Sequence, residues 1–251
     1  MQHCALVTGG ASRIGRALAL SLAKSGYDVA IQFNASEREA AETVTDIRSL
    51  GRRAVALRTN FLRPAEVAGL VEAAIDALGE LTLLVNNASI FEEDTLANLT
   101  DESFDRHVAI NLRSAVLLTR CFGERPDGQH DRLIVNVIDQ RVWKLTPHFV
   151  SYTLTKSALL TLTKTSAQAL APKGIRVNAI GPGPTLKSMR QDERAFDQQC
   201  AATLLKRGST VQDLSSCLDF LVANRAVTGQ MIAVDAGQHL NWQTDDALIS
   251  E

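Results

Sequence analysis

Short runs of consecutive apolar residues alternate along this chain with longer stretches in which apolar positions recur every three or four residues. The short runs predict strands at Cys4 to Thr8, Asp28 to Phe33, Ala54 to Thr59, Leu81 to Asn86, Leu133 to Ile138, Arg176 to Ile180 and Met231 to Val234. The longer stretches predict helices at Arg13 to Ser25, Glu37 to Leu50, Pro64 to Leu78, Thr100 to Gly123 and Ser151 to Ala171, with one or two short helices between Met189 and Val222. The runs LLVN (83–86) and IVNVI (134–138) have almost no polar face, as expected of strands covered by helices on both sides of a parallel sheet. Strands alternating with helices are the pattern of repeated βαβ units.

No low-complexity linker and no self-similar repeat interrupts that pattern, so a single domain over 1–251 is the simplest organisation. The main irregular insertion runs from Gly181 to Arg207, a Pro/Gly start followed by the mixed-charge stretch KSMRQDERAFDQQ. Loops of that length in compact domains are usually functional, which predicts a lid over a site; a solvated charged helix is the alternative.

Composition narrows the function without supplying it. The 251 residues carry 26 Lys+Arg against 28 Asp+Glu, a net charge of -2 that lacks the basic signature of a nucleic-acid binder. Cys4, Cys121, Cys200 and Cys217 fall in no ligand spacing, so the expectation is reduced thiols, with neither a disulfide framework nor a metal site. The N-terminus has no basic region leading into a long apolar stretch, and no apolar run approaches the ~18 residues of a membrane span. A soluble cytoplasmic protein acting on a small molecule, with no membrane or nucleic-acid partner, is expected.

The first predicted strand runs into Thr8-Gly9-Gly10-Ala11-Ser12-Arg13-Ile14-Gly15 immediately before a helix. A glycine turn in that setting lets backbone N–H groups approach a diphosphate at the helix N-terminus, where the dipole favours negative charge. The second strand ends Gln32-Phe33-Asn34-Ala35-Ser36, without the acid that binds a ribose 2′-hydroxyl in NAD-specific sites. With Ser12, Arg13, Ser36 and Arg38 as nearby donors, this end predicts NADPH over NADH, although Arg38 also reads as an ordinary surface charge.

Three further motifs follow in order: Asn86-Asn87-Ala88-Ser89, Tyr152-Thr153-Leu154-Thr155-Lys156 and Gly181-Pro182-Gly183, with TGQMIAVDAGQ near the last strand. Together they cover most of the chain, which resembles the short-chain dehydrogenase/reductase family. The resemblance implies an α/β fold, a single-domain Rossmann-type doubly wound seven-stranded parallel sheet flanked by helices. It implies that Tyr152 is the general acid, with Lys156 one helical turn later to stabilise phenolate and bind the nicotinamide ribose. It also implies that Asn111, in AINLR, supports a water chain to the lysine. Cofactor contacts would come from Gly9, Ser12, Arg13, Ile14, Gly15, Asn34, Ser36, Asn60, Asn87, Ala88, Tyr152, Lys156, Pro182, Gly183 and Thr185. Asn60 replaces an adenine-capping aspartate, a mild change because Asn also donates and accepts.

Three departures from the common pattern should line one cleft, at the carboxyl edge of the sheet: Arg13 for a glycine, Ser89 for the glycine of NNAG, and Asp139 for the catalytic serine. This set, with Phe91 two residues after Ser89, resembles the pteridine reductase branch. There Phe91 would stack on a pterin, Arg13 and Ser89 would bond cofactor phosphate and the pterin's polar edge, and Asp139 would pair with Tyr152. Reduction of a C=N bond places electron density on nitrogen, which needs a proton more than an oxyanion hole, and an acid beside tyrosine can relay one. The implied activity is NADPH-dependent reduction of a dihydropterin (dihydromonapterin or dihydrobiopterin, and dihydrofolate secondarily) by a homotetramer. A carbonyl reductase acting on an oxoacyl or sugar ketone, and a non-catalytic NADP-binding regulatory protein, stay open. Trp143 and His148 are candidate pocket walls or packing residues.

Overall fold

The computed structural model describes residues 3–125, 131–188 and 191–243. Seven strands form one parallel sheet in the order β3-β2-β1-β4-β5-β6-β7. They are β1 (His3–Val7), β2 (Tyr27–Phe33), β3 (Ala54–Arg58), β4 (Leu81–Asn86), β5 (Arg132–Val137), β6 (Ile175–Pro182) and β7 (Met231–Val234). Each predicted strand is present, and the order reverses between β1 and β4, where open α/β sheets bind ligands beyond the carboxyl ends of their strands.

The strand runs lack a polar face because both faces are buried. Ala5 and Val7 of β1 pack with Leu18 and Leu22 of α1 (Arg13–Lys24), Val44 and Ile47 of α2 (Glu37–Ser49) and Leu214, Leu218 and Leu221 of α8 (Val211–Ala223). Cys4 and Leu6, on the other face, pack with Leu70 and Val71 of α3 (Pro64–Leu78), Leu118 and Phe122 of α5 (Ser114–Glu124) and Ala167 of α6 (Val150–Leu170). Successive side chains of a strand point to opposite faces, so two helical layers demand apolar residues at every position. Each fully buried Leu or Ile contributes about 1.5–3 kcal/mol. One polar line crosses this core: Asn86 donates to Asn136 Oδ1 at 2.9 Å, and Asn136 donates to Thr163 Oγ1 at 2.9 Å, tying β4, β5 and α6 together.

The predicted helix from Thr100 to Gly123 differs in one respect. It divides into α4 (Asp101–His107), a π-helical turn (Val108–Arg113) and α5, and Asn111 sits in the π turn. An inserted residue of this kind recurs at functional sites because it re-aims one side chain without ending the helix. The insertion after β6 forms a loop followed by α7 (Glu193–Ala201); Met189, proposed as the start of a helix, lies outside the described residues. No helix among the described residues is long and apolar enough to cross a membrane.

The two edges of the sheet differ in crowding. Gly26, Gly51, Gly79 and Gly174, just before β2, β3, β4 and β6, have nothing within 4 Å of where a Cβ would stand. At the carboxyl edge a Cβ on Gly15 would lie 2.1 Å from Gly9 O, and one on Gly183 would lie 2.7 Å from Asp235.

Candidate active site

A cleft of about 610 Å³ opens along the carboxyl edge. Its floor is the turn between β1 and α1, which two neighbouring strands hold in place. Thr8 Oγ1 accepts from Asn87 N at 2.9 Å and Ala88 N at 3.0 Å, while Asn87 Nδ2 donates back to Thr8 O at 2.8 Å. Gly9 N donates to Gln32 Oε1 at 2.9 Å, and Gln32 Nε2 donates to Thr59 O at 2.8 Å. Sequence reasoning missed Thr8 and Gln32. The signal for Gln32 was present, a polar residue inside the apolar run of β2, where a buried amide requires partners.

Ser12 and Ser36 precede α1 and α2, and neither side chain caps its own helix. Both line the cleft with no hydrogen-bond partner for their hydroxyls among the described residues; at the start of α1 the N–H groups of Arg13, Ile14 and Gly15 are uncommitted, and at the start of α2 Glu37 N donates to Ala35 O at 3.0 Å, leaving those of Arg38 and Glu39. That donor set fits two separate phosphate positions, and the lack of a side chain at Gly15 lets α1 close onto Gly9 O. Asn34 and Asn60 also line this half; Asn60 Oδ1 accepts from Leu62 N at 3.0 Å. Arg38 is not on the cleft wall but 81% exposed beside Glu39 and Glu42, each at 3.8 Å, so the surface reading of that residue holds. Arg58, which the sequence did not single out, donates from Nε to Asn34 O at 3.2 Å.

Arg13 stands at the join between the two halves. It opens α1 with φ 52, a left-handed conformation that costs a residue with a Cβ about 1–2 kcal/mol. Its Nη2 donates to Leu186 O at 3.2 Å and Lys187 O at 2.9 Å, so the guanidinium fastens the segment after β6 to the glycine turn. Leu186, Ser188, Gln191, Phe196 and Gln199 of that segment line the cleft. Thr185, beside Pro182 and Gly183 on the same wall, shares a 2.8 Å hydrogen bond with Ser209.

The far half holds the titratable groups. Asp139 follows β5 in extended conformation; its Oδ1 accepts from Arg141 N at 2.8 Å and its Oδ2 accepts from Tyr152 OH at 3.0 Å. Lys156, one turn along α6, donates to Val137 O at 2.8 Å, with Nζ 5.5 Å from the Tyr152 ring centre. Burial pushes the Asp139 carboxyl up, partly offset by the Arg141 N–H and charge. Burial also pushes the Tyr152 phenol well above its ordinary range, and the neighbouring Asp139 pushes it further. The Lys156 ammonium is brought down by burial to about 8, against the opposing pull of Asp139. Both shifts run in the same direction, so each group of this coupled pair holds its proton more firmly than it would in water.

α6 is positioned from outside. Phe149, in left-handed conformation, precedes it, and Asp94 caps it: Asp94 O accepts from Phe149 N at 2.7 Å, and its carboxylate accepts from Ser151 N at 3.2 Å and from the Ser151 hydroxyl. A carboxylate at a helix N-terminus both satisfies a free N–H and complements the dipole. Neither Asp94 nor Phe149 stood out in the sequence, because their roles depend on a contact between segments more than fifty residues apart.

Phe91 reaches the cleft, with its ring stacked on Phe149 at 4.2 Å and edge-on to Tyr152 at 4.7 Å. Phe149 does not reach the cleft and covers one face of Phe91 from behind. Ser89 lines the cleft, its hydroxyl donating to Ile90 O at 3.3 Å. Asn111 is off the wall: its Oδ1 accepts from Ile90 N at 2.8 Å, and its Nδ2 donates to Ile90 O at 3.0 Å and Thr155 Oγ1 at 3.3 Å. It thus anchors the loop that carries Phe91 onto α6. Trp143 and His148 do not wall the cleft; Trp143 lies against His239 at 5.0 Å and His148 is 3.6 Å from Glu93. Gln238, unmarked in the sequence, lines the wall instead.

Comparison with known proteins was consistent with this geometry. The short chain dehydrogenase family model matches residues 3–198. A 3-oxoacyl-[acyl-carrier-protein] reductase FabG of Staphylococcus epidermidis is 30% identical over 244 residues, covering 96% of this chain and 100% of that protein. Among solved structures, FolM Alternative dihydrofolate reductase 1 from Brucella canis, complexed with NADP, is 45% identical with a TM-score of 0.93, covering 97% of this chain and 96% of that one. The protein of the same description from Brucella suis, also with NADP, is 46% identical with a TM-score of 0.92 and covers 97% and 98%. With the glycine turn, the Tyr152–Lys156 helix and the sheet order in place, the chain belongs to the short-chain dehydrogenase/reductase family of oxidoreductases.

Proposed function

We propose that the protein is an NADPH-dependent reductase that converts a dihydropterin of the dihydromonapterin or dihydrobiopterin type, and secondarily dihydrofolate, to the tetrahydro form. The observation that carries this reading is the 3.0 Å contact of Tyr152 OH with Asp139 Oδ2 beside the cleft face of Phe91. The likeness to two FolM proteins crystallised with NADP supports it. The glycine turn and the start of α1 would hold the diphosphate, with Asn87, Ala88, Pro182, Gly183 and Thr185 along the walls and Asn60 at the adenine. Ser36, the start of α2 and the Arg58 charge would take the 2′-phosphate, at a strand end that carries no acid. Lys156 would bond the nicotinamide ribose.

The bound nicotinamide supplies a hydride to one carbon of the C=N bond. Phe91 stacks on the ring, a contact worth roughly 0.5–1.5 kcal/mol beyond burial. Tyr152 donates its proton to the nitrogen, Asp139 shares the replacement proton, and the Lys156 ammonium offsets the charge left on the phenol oxygen. A buried carboxyl in place of a serine hydroxyl suits nitrogen protonation and is ill suited to an oxyanion.

The likeness to a 3-oxoacyl reductase gives the second reading, a ketone reductase. NADPH oxidation assayed with dihydropterins and with oxoacyl substrates separates the two: turnover of ketones and of no dihydropterin overturns the pterin assignment. Asp139→Ser should lower kcat on dihydropterins at least tenfold, within the roughly 10²–10⁴-fold range of acid–base groups. Normal pterin turnover by that variant removes Asp139 from the proton path. We infer also a cytoplasmic homotetramer, as the family resemblance implies. Val116 of α5 and Leu154 of α6, both exposed in the single chain, would be covered in it, and a monomeric mass by light scattering would refute that assembly.

A further inference from the structure

Phe149 stands at the N-cap of α6 with φ 60 and ψ 47, a backbone conformation that favours glycine. A Cβ makes that left-handed turn costly, so a bulky residue kept there is held by what its side chain touches. Capping does not explain the choice. The side chain makes no cap hydrogen bond, and the carboxylate that accepts from Ser151 N comes from Asp94.

What the ring touches is Phe91. The two rings have centres 4.2 Å apart and planes within 4° of parallel, which leaves no room for a ligand between them. A flat substrate ring therefore has only the other face of Phe91, a residue that lines the cleft and is 42% exposed. Phe149 is fastened to the same loop a second time, because its N–H donates to Asp94 O at 2.7 Å. On the other side of Phe91, Ile90 is bonded through both its N–H and its carbonyl to the Asn111 amide. With the backbone held at both ends, the plane of the Phe91 ring is the variable left, and Phe149 is the surface that sets it. The Arg141 guanidinium, bonded to Thr146 Oγ1 at 2.9 Å, lies 4.9 Å from the Phe149 centre and 6.0 Å from the Phe91 centre and packs the pair from its flank. The first turn of α6 also carries Tyr152, whose ring meets that of Phe91 at 75° and 4.7 Å.

We propose that Phe149 is a positioning residue: it fixes the height and tilt of the Phe91 ring against Tyr152, so that a flat substrate ring stacked on Phe91 is aligned with the acid. This rests on the pterin reading and deepens it. One helical turn then carries both the backing of the stacking platform and the proton donor, and a shift of the loop cannot move the substrate ring without straining the start of α6. Misplacing a bound ring by about 1 Å is enough to cost roughly a hundredfold in rate, so the left-handed turn is worth keeping.

The test compares wild type with Phe149→Gly, Phe149→Leu and Phe149→Tyr, with NADPH and dihydrobiopterin. Glycine adopts the left-handed turn without strain and is accepted at an N-cap, so it removes the ring and spares the helix start. Leucine keeps apolar bulk without a flat face. In both, kcat/KM should fall roughly ten- to a hundredfold, through a rise in KM and a fall in kcat together. Phe149→Tyr, which keeps the ring, should retain most of the activity, and NADPH affinity followed by fluorescence should match wild type in all three. In a Phe91→Ala background, Phe149→Gly should cost nothing further, since the ring it would hold is gone. Wild-type kcat/KM in the leucine or glycine variant overturns the proposal. So does an equal proportional loss with and without the Phe91 ring, which would make Phe149 a support of α6 alone, or a loss of NADPH affinity in step with activity. A wild type that reduces no dihydropterin overturns the pterin reading itself.

Discussion

Tyr152→Phe should lower kcat for reduction by about two to four orders of magnitude, the range found when a positioned acid is removed. NADPH binding should persist, because the cofactor half of the cleft does not depend on the phenol oxygen. The hydroxyl lost is the one bonded to Asp139, and phenylalanine keeps the ring that meets Phe91 edge-on. Stopped-flow fluorescence separates binding from turnover, and activity within tenfold of wild type would place the acid elsewhere. The pH profile gives a second check. Burial brings the Lys156 ammonium down to about 8, so the charge that offsets phenolate is present below that pH and lost above it. In wild type kcat/KM for reduction should therefore fall as pH rises through about 8; a flat profile from 7 to 9 would contradict this role for Lys156.

Gly15→Ala should be the most damaging single-methyl change in the cofactor half. The added carbon would stand 2.1 Å from Gly9 O and 2.5 Å from Asn87 Nδ2, and Gly9 is backbone that cannot swing aside. Either α1 moves off the turn or the turn opens toward the cleft, and both disturb the backbone N–H groups that approach a diphosphate. Overpacking of this sort costs about 1–3 kcal/mol, or several degrees in Tm for a chain of this size, and NADPH affinity should drop at least tenfold. Gly69→Ala is the control. Gly69 lies inside α3 with nothing within 4 Å of its added carbon, so there alanine should stabilise by about 0.5–1 kcal/mol. If the two variants melt alike, contact at Gly15 is not what limits that position.

The contrast between these two glycines shows what the sequence does and does not reveal. Gly15 stood out because it follows a strand and opens a helix, and Tyr152 and Lys156 because their motif, in order with the others, carries the resemblance to the short-chain dehydrogenase/reductase family. All seven strands were legible, since a sheet covered on both faces leaves unbroken apolar runs. The π turn at Asn111 was not, because apolar periodicity through a helix barely registers one extra residue. Arg13 was expected at a phosphate; it lines the cleft, and the sequence did not show that its Nη2 also reaches Leu186 O and Lys187 O, partners that become adjacent only when the chain folds. Trp143 and His148, between Asp139 and Tyr152 in sequence, read equally as walls or as packing. The short turn from Gln140 to Val142 carries them past the cleft and brings Arg141 to it. Asp94 had no local signal at all, yet it fixes the first turn of the helix that carries Tyr152.

The unequal crowding of the two sheet edges has a practical side. The turns at Gly26, Gly51, Gly79 and Gly174 are roughed out in open space, and roughly 20 Å of strand separates them from the cleft. They are the natural points to graft a reporter or to tether the enzyme to an electrode or bead, since attachment there leaves the whole ligand-facing edge turned toward solution.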